Sequence, residues 1–125
     1  MYKDNYHDYV VGAMRCYALC GCPSEEELMR RRSVLPEEKY YDLMAVERML
    51  YRLGREEYGH LGVRCVETVY LSSPSEILSH GEITRRVVFA SREAYICETS
   101  VYKALRRARA LVAMERGLRI DDTLV

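Results

Sequence analysis

Apolar positions recur at spacings of three and four along most of the chain, and they nowhere alternate in the two-residue period of a half-buried strand. Tyr6, Tyr9, Val10, Ala13, Met14, Tyr17 and Ala18 predict a first amphipathic helix over residues 2–19. Cys20-Gly21-Cys22-Pro23 ends it, with glycine suited to the left-handed helix terminus and proline shortly after. Ser24-Glu25-Glu26-Glu27 then reads as a capping box, in which the serine hydroxyl accepts from a first-turn amide and Glu27 reaches back. The short charged helix it opens, residues 25–32, closes on Arg30-Arg31-Arg32, where cations suit the negative helix end. A phosphate contact is the alternative use of that run.

Leu35-Pro36-Glu37-Glu38 restarts a helix, with proline at its first position and acids in its first turn. Tyr40, Leu43, Met44, Val46, Leu50 and Leu53 carry it to Gly54. A fourth helix is expected over residues 56–71, through Tyr58, Leu61, Val63, Cys65, Val66, Val69 and Tyr70. Gly59 and Gly62 weaken it locally or mark a close helix crossing. Ser72-Ser73-Pro74-Ser75 is the clearest loop, since Pro74 cannot continue a helix, and Ser75-Glu76-Ile77-Leu78 has the makings of one turn. A fifth helix starts near Glu82 and ends near Tyr95, striped by Ile83, Val87, Val88, Ala90 and Ala94. The sixth is the most distinctly two-sided. Val101, Leu105, Ala108 and Val112 form one apolar stripe, Lys103, Arg106, Arg107 and Arg109 occupy the other side, and Gly117 is its stop.

The pattern therefore predicts an all-α fold, a bundle of five to six helices. Residues 1–55 are read as a tyrosine-rich helical support and 56–120 as a helix-turn-helix unit packed on it. Residues 121–125 are read as a tail, the whole forming one compact domain.

Composition adds little to the fold and more to the function. The 125 residues suffice for one modest core, and 19 basic against 19 acidic side chains exclude a chain that is basic throughout. The distribution is uneven. Residues 1–80 carry 10 basic and 13 acidic side chains (−3), residues 81–119 carry 9 and 4 (+5), and the last six carry two acids (−2). A basic C-terminal third fits a local nucleic-acid patch, and it equally fits a solvated helix face. Met1-Tyr2-Lys3-Asp4 leads into no long apolar run, and no run approaches the ~20 residues of a membrane span. A cytoplasmic chain with reduced thiols is expected.

Five cysteines raise the question of metal. Cys16, Cys20 and Cys22 lie close together, with His7, His60, His80, Cys65 and Cys97 elsewhere, but zinc wants paired short-spaced motifs and only one such cluster exists. Cys16 and Cys20 share a helix face suited to a core, so no metal is expected. Catalysis has no foothold either. The chain has no glycine-rich phosphate loop, no HExxH motif and no carboxylate pair between apolar walls. Cys97, at a helix start, is a candidate for a lowered thiol pKa, opposed by Glu98. No enzymatic activity and no cofactor are expected.

Gly81-Glu82-Ile83-Thr84-Arg85-Arg86-Val87, followed by the stretch from Cys97-Glu98-Thr99-Ser100-Val101-Tyr102-Lys103 to Ala104-Leu105-Arg106-Arg107-Ala108-Arg109, resembles the helix-turn-helix of sigma-factor region 4. The closer likeness is to small sigma-like regulators of bacterial phages and mobile elements. It covers residues 81–116, with a looser match back to about residue 43. Cys97 stands where the family usually has a capping serine, and a cysteine is a poorer cap. The separation of Ile83 from Val101 exceeds that of the compact sigma form, implying a longer first helix or a looser turn.

The resemblance implies sequence-specific binding of double-stranded DNA in transcriptional control. The second helix would lie in a major groove, with Glu98, Thr99, Ser100, Tyr102 and Lys103 toward base edges. Arg106, Arg107 and Arg109 would meet phosphates, as would Arg85 and Arg86 from the first helix, while Arg107 or Lys103 could pair with guanine. A solvated basic helix in a plain bundle is the bland alternative. A second functional reading starts from the 11 tyrosines. Tyr2, Tyr6, Tyr9, Tyr17, Tyr40, Tyr41, Tyr51 and Tyr58 cluster in the first half, and tyrosine is enriched at interface hot spots. They either pack the bundle or, with Tyr6, Tyr9, Tyr17, Tyr40 and Tyr41 foremost, form a homodimer face or a surface for a host protein. In that reading the chain is a phage-encoded inhibitor of a host defence nuclease (anti-CRISPR-like) or of RNA polymerase.

Overall fold

A computed structural model describes residues 4–118. Tyr2 and the tail at 121–125 lie outside the described residues. Six α-helices follow in order: α1 (His7–Leu19), α2 (Glu25–Arg30), α3 (Glu37–Gly54), α4 (Gly59–Val66), α5 (His80–Ala94) and α6 (Glu98–Glu115). Between α4 and α5, Glu67–Leu71 forms a π-helical turn, and the described residues contain no strand. The architecture is an all-α bundle. No helix among the described residues is long and apolar enough to cross a membrane.

Each helix buries the face its periodicity marks. Val10, Ala13, Met14, Tyr17 and Ala18 of α1 meet Tyr40, Leu43, Met44, Val46, Met49 and Leu53 of α3 in one core. The local stops also act as read. At the end of α1, Gly21 takes φ +84, the Cys22 amide donates to Tyr17 O (3.1 Å), and the Gly21 amide donates to Ala18 O (3.0 Å). This pair of bonds satisfies carbonyls that a helix end would orphan. Ser24 caps α2 through the Glu27 amide (3.2 Å), but the Glu27 carboxylate meets the serine hydroxyl (3.3 Å) instead of reaching the backbone.

Three boundaries differ from expectation for identifiable reasons. Pro36 is the cap of α3, not its first helical residue. The fourth helix begins at Gly59 and not near 56, because Tyr58 takes the left-handed conformation (φ 57) and breaks the run. Gly59 is a point of close approach: a β-carbon there would fall on the Leu53 carbonyl at the end of α3. Ser79 caps α5 by accepting from the Glu82 amide (3.2 Å), so α5 starts at His80. The turn expected over Ser75–Leu78 closes two residues earlier, around Pro74, through the Glu76 amide and Ser73 O (3.1 Å).

The π-helical turn is closed at its end by Ser72, whose hydroxyl donates to Thr68 O (2.5 Å). Further carbonyls there and in the loop beyond are collected by two arginines from other helices. Arg15 of α1 donates to Tyr70 O (3.0 Å), Ser72 O (3.1 Å), Ser73 O (3.0 Å) and Glu76 O (2.6 Å). Arg86 of α5 donates to Val69 O (3.0 Å) and Ser72 O (2.8 Å). Cations are favourable at the negative end of a helix, and a guanidinium has enough donors to serve several carbonyls. The clamp fixes the loop from which α5 departs.

The sixth helix is central. It packs on α1, α3, α4 and α5, most extensively on α3. Leu111, Val112 and Ala113 in its second half are fully buried. The boundary drawn at residue 55 thus separates two stretches of chain whose helices share one core.

Candidate nucleic-acid interface

Tyr95, Ile96 and Cys97 link α5 to α6. The long spacing from Ile83 to Val101 is absorbed by α5, which runs on to Ala94, and the link itself is tight. Ile96 folds against the core, its amide donates to Ser91 O (3.1 Å), and its carbonyl accepts from the Ser91 hydroxyl (2.7 Å). Cys97 occupies the cap of α6 and its side chain caps nothing, as expected of a thiol. Its sulfur lies 3.2 Å from the Ser100 hydroxyl. That contact, with the amides of the helix start, holds the exposed thiol below its usual range.

The inward stripe of α6, Val101, Leu105 and Ala108, is fully buried, which fixes which way the helix faces. Glu98, Thr99, Ser100, Tyr102, Lys103, Arg106 and Arg107 are exposed. Solvent therefore meets mainly the first half of the helix, next to the turn.

The basic residues expected to meet phosphates divide sharply. Lys103 and Arg106 are exposed and have no partner among the described residues. Arg85 is exposed but held to Glu82 (Nε to Oε2, 3.0 Å). Arg107 makes a bidentate pair with Glu56, at 2.6 and 3.0 Å to Oε2, which pulls that carboxyl below its ordinary range.

Two assignments need correction. Arg86 is only 4% exposed, and it spends its guanidinium on the clamp described above, on Glu82 (2.9 Å) and on Glu76 (3.3 Å). Arg109, with a side chain 12% exposed, donates to Asp4 (2.6 Å) and to the Tyr70 hydroxyl (2.8 Å). Both hold the bundle together and neither reaches a ligand surface. With Arg116 on Asp42 (2.7 Å) and Glu38 (2.6 Å), five of the eight described basic residues after position 80 are internally paired. The local excess of positive charge is mostly neutralised within the chain.

Arg92 was not singled out by its sequence context. It stands exposed in the last turn of α5, without a partner among the described residues, one turn ahead of the link. Its position in an R-E-A stretch before a turn gave no signal beyond its charge.

The tyrosine face also needs correction. Tyr6, Tyr17 and Tyr40 are buried, and Tyr17 donates its hydroxyl to Pro23 O (3.0 Å). Burial pushes its hydroxyl pKa well up. Tyr9 and Tyr41 lie at the rim, where Tyr9 donates to Asp42 (2.7 Å) and Tyr41 accepts from Arg32 (3.1 Å). Arg32 also stacks over the Tyr40 ring at 4.8 Å, so the last arginine of the Arg30-Arg31-Arg32 run is engaged within the fold. The cysteines are dispersed, with Cys65 buried, Cys16 and Cys20 half-buried, and Cys22 and Cys97 exposed. No cluster of metal-ligating side chains occurs among the described residues.

Compared with family models, curated proteins and solved structures, the chain shows no significant match.

Proposed function

We propose that the chain binds double-stranded DNA through the first half of α6 and acts, without catalysis, as a transcriptional regulator of phage or mobile-element type in the bacterial cytoplasm. One observation carries the reading. A helix anchored along one side in the core follows a tight turn and offers Thr99, Tyr102, Lys103 and Arg106 to solvent next to that turn. This is the arrangement by which a recognition helix enters a major groove, with its first residues toward base edges. Lys103 and Arg106 supply cations that form no ion pair among the described residues, and Arg85 and Arg107 add exposed guanidiniums that exchange a carboxylate for a phosphate. The resemblance to sigma region 4 points the same way.

The tyrosine-based reading, with a protein partner on the N-terminal half, has lost three of its five residues to the core. The DNA reading is tested with a random 30-bp duplex at 50 and 200 mM salt. Binding should weaken steeply with salt as counterions cease to be released, and Arg106→Ala should weaken it further and reduce the salt slope by about one. Absence of a complex at the lower salt would overturn the reading.

A further inference from the structure

Three helices in this chain end in the same way. Within two residues of the ends of α1, α5 and α6 a residue takes a left-handed conformation, and paired amides bond back to the last turn. The first and third use glycine, Gly21 at φ +84 and Gly117 at φ +65. After α6 the bonds run from the Gly117 amide to Met114 O (3.1 Å) and from the Leu118 amide to Ala113 O (2.9 Å). The second uses Tyr95, at φ 56 and ψ 41, with its amide to Arg92 O (3.4 Å) and the Ile96 amide to Ser91 O (3.1 Å). An L side chain is disfavoured there because its β-carbon crowds the backbone, which is why glycine dominates the position.

Nothing among the described residues packs on that side chain. Tyr95 is 95% exposed, the most solvent-exposed large hydrophobic among the described residues. Other non-glycine residues with positive φ have local explanations. Cys22 follows Gly21 in the same turn, the Ser73 carbonyl is pinned by Arg15, and Tyr58 lines an apolar groove with Leu61 and Ile96. Tyr95 pairs a disfavoured backbone with a ring still more exposed than that of Tyr58 (70%), and it does so in the link that leads into α6. Backbone strain without an internal return points to a use outside the chain.

We infer that Tyr95 is a DNA-backbone contact: its ring lies on the sugar–phosphate strand beside the groove entered by α6, and its hydroxyl donates to a phosphate oxygen. This rests on the DNA reading above. Phosphates are met by tyrosine hydroxyls, arginines and helix N-termini. Arg92 stands one turn earlier with its guanidinium unpaired among the described residues, and no described side chain caps the first-turn amides of α6. The acidic neighbours Glu93 and Glu98 are also exposed, so the contact depends on the phenol reaching past them to the strand. The contact carries no base information, so a duplex of any sequence reports it.

The test compares wild type, Tyr95→Gly and Tyr95→Phe for thermal unfolding and for binding to the random 30-bp duplex at low salt. Glycine relieves the backbone but frees the unfolded chain, so Tyr95→Gly should melt between 0 and about 4 °C above wild type. Its duplex affinity should fall by about tenfold or more, as expected for losing a hydrogen bond to a charged acceptor. Tyr95→Phe should lose about half of that effect on a logarithmic scale. If Tyr95→Gly binds the duplex within twofold of a wild type that does bind, the inference is overturned while the DNA reading stands. A melting point several degrees below wild type would also overturn it, by showing that the ring supports the fold. A wild type that binds no duplex would remove both.

Discussion

Arg86 and Arg106 are both arginines on helices of the basic C-terminal third, and the structure gives them opposite consequences on removal. Arg86→Ala takes a charged donor away from Val69 O, Ser72 O, Glu82 and Glu76 at a site only 4% exposed. Removing one partner of a buried ion pair can cost ~3–5 kcal/mol. Here Glu82 sits at the surface edge and keeps Arg85, so its charge is not stranded. Ser72 O keeps Arg15. The Val69 carbonyl has no such substitute for Arg86, and an unsatisfied buried polar group costs ~1–3 kcal/mol. Adding the lost packing of the arginine stem, we expect a loss of about 3 kcal/mol. At about 2.1 cal/mol/K per residue, a chain of 125 residues should then melt about 10 °C lower. Arg106→Ala, with no internal partner to lose, should melt within about 2 °C of wild type, as ordinary surface changes do. Thermal unfolding followed by circular dichroism at the helix band measures both. Arg86→Ala melting with wild type while losing duplex affinity would show that its side chain faces a ligand, and would refute the buried clamp.

Local geometry sets three further expectations. Gly59→Ala should lower the urea midpoint by an amount equivalent to about 3 kcal/mol, because a β-carbon would collide with backbone at Leu53 and Gly54, which cannot swing aside. Gly62→Ala would place its β-carbon 3.5 Å from the Leu53 side chain, an ordinary contact, and should be neutral or stabilising by up to ~1 kcal/mol from helix propensity. The Glu82 carboxyl, bonded by Arg85 and then Arg86, is held down to about 2. Its folded pKa lies below the unfolded value, so the stabilisation is present above the unfolded pKa and is lost as pH falls toward 2. Glu82→Gln should therefore melt below wild type at pH 5, and the gap should close as both approach pH 2.

Much of the fold was legible because its determinants are local. A stripe at three- and four-residue spacing can bury only one side of a helix, and Val101, Leu105 and Ala108 are buried as that pattern requires. Gly21, Ser24 and Gly117 act at their own helix ends, within a few residues of the groups they satisfy. The all-α architecture, its six helices and the inward face of α6 could thus be read from the chain. The π-helical turn and the start of α4 could not. The left-handed Tyr58 and the close approach of Gly59 to Leu53 arise where two helices meet.

The candidate site was only half legible, for the same reason. Along the sequence Arg86, Arg106 and Arg109 look alike. Asp4, 105 residues from Arg109, and Glu56, 51 residues from Arg107, become neighbours only when α6 packs across the bundle. The tyrosines divide on the same basis, into Tyr6, Tyr17 and Tyr40 in the shared core and Tyr9 and Tyr41 at its rim. Helical periodicity states which way a side chain points from its own axis. Whether a guanidinium there meets water, a carboxylate or an orphaned carbonyl depends on what other helices bring to that point, because a pair needs its partner within a few ångströms whatever their separation along the chain. The sequence by itself determined the helices and the buried stripe of α6. The tertiary structure decided that Lys103, Arg106 and Arg92 stay without a partner among the described residues while Arg86 and Arg109 are spent in holding the bundle together.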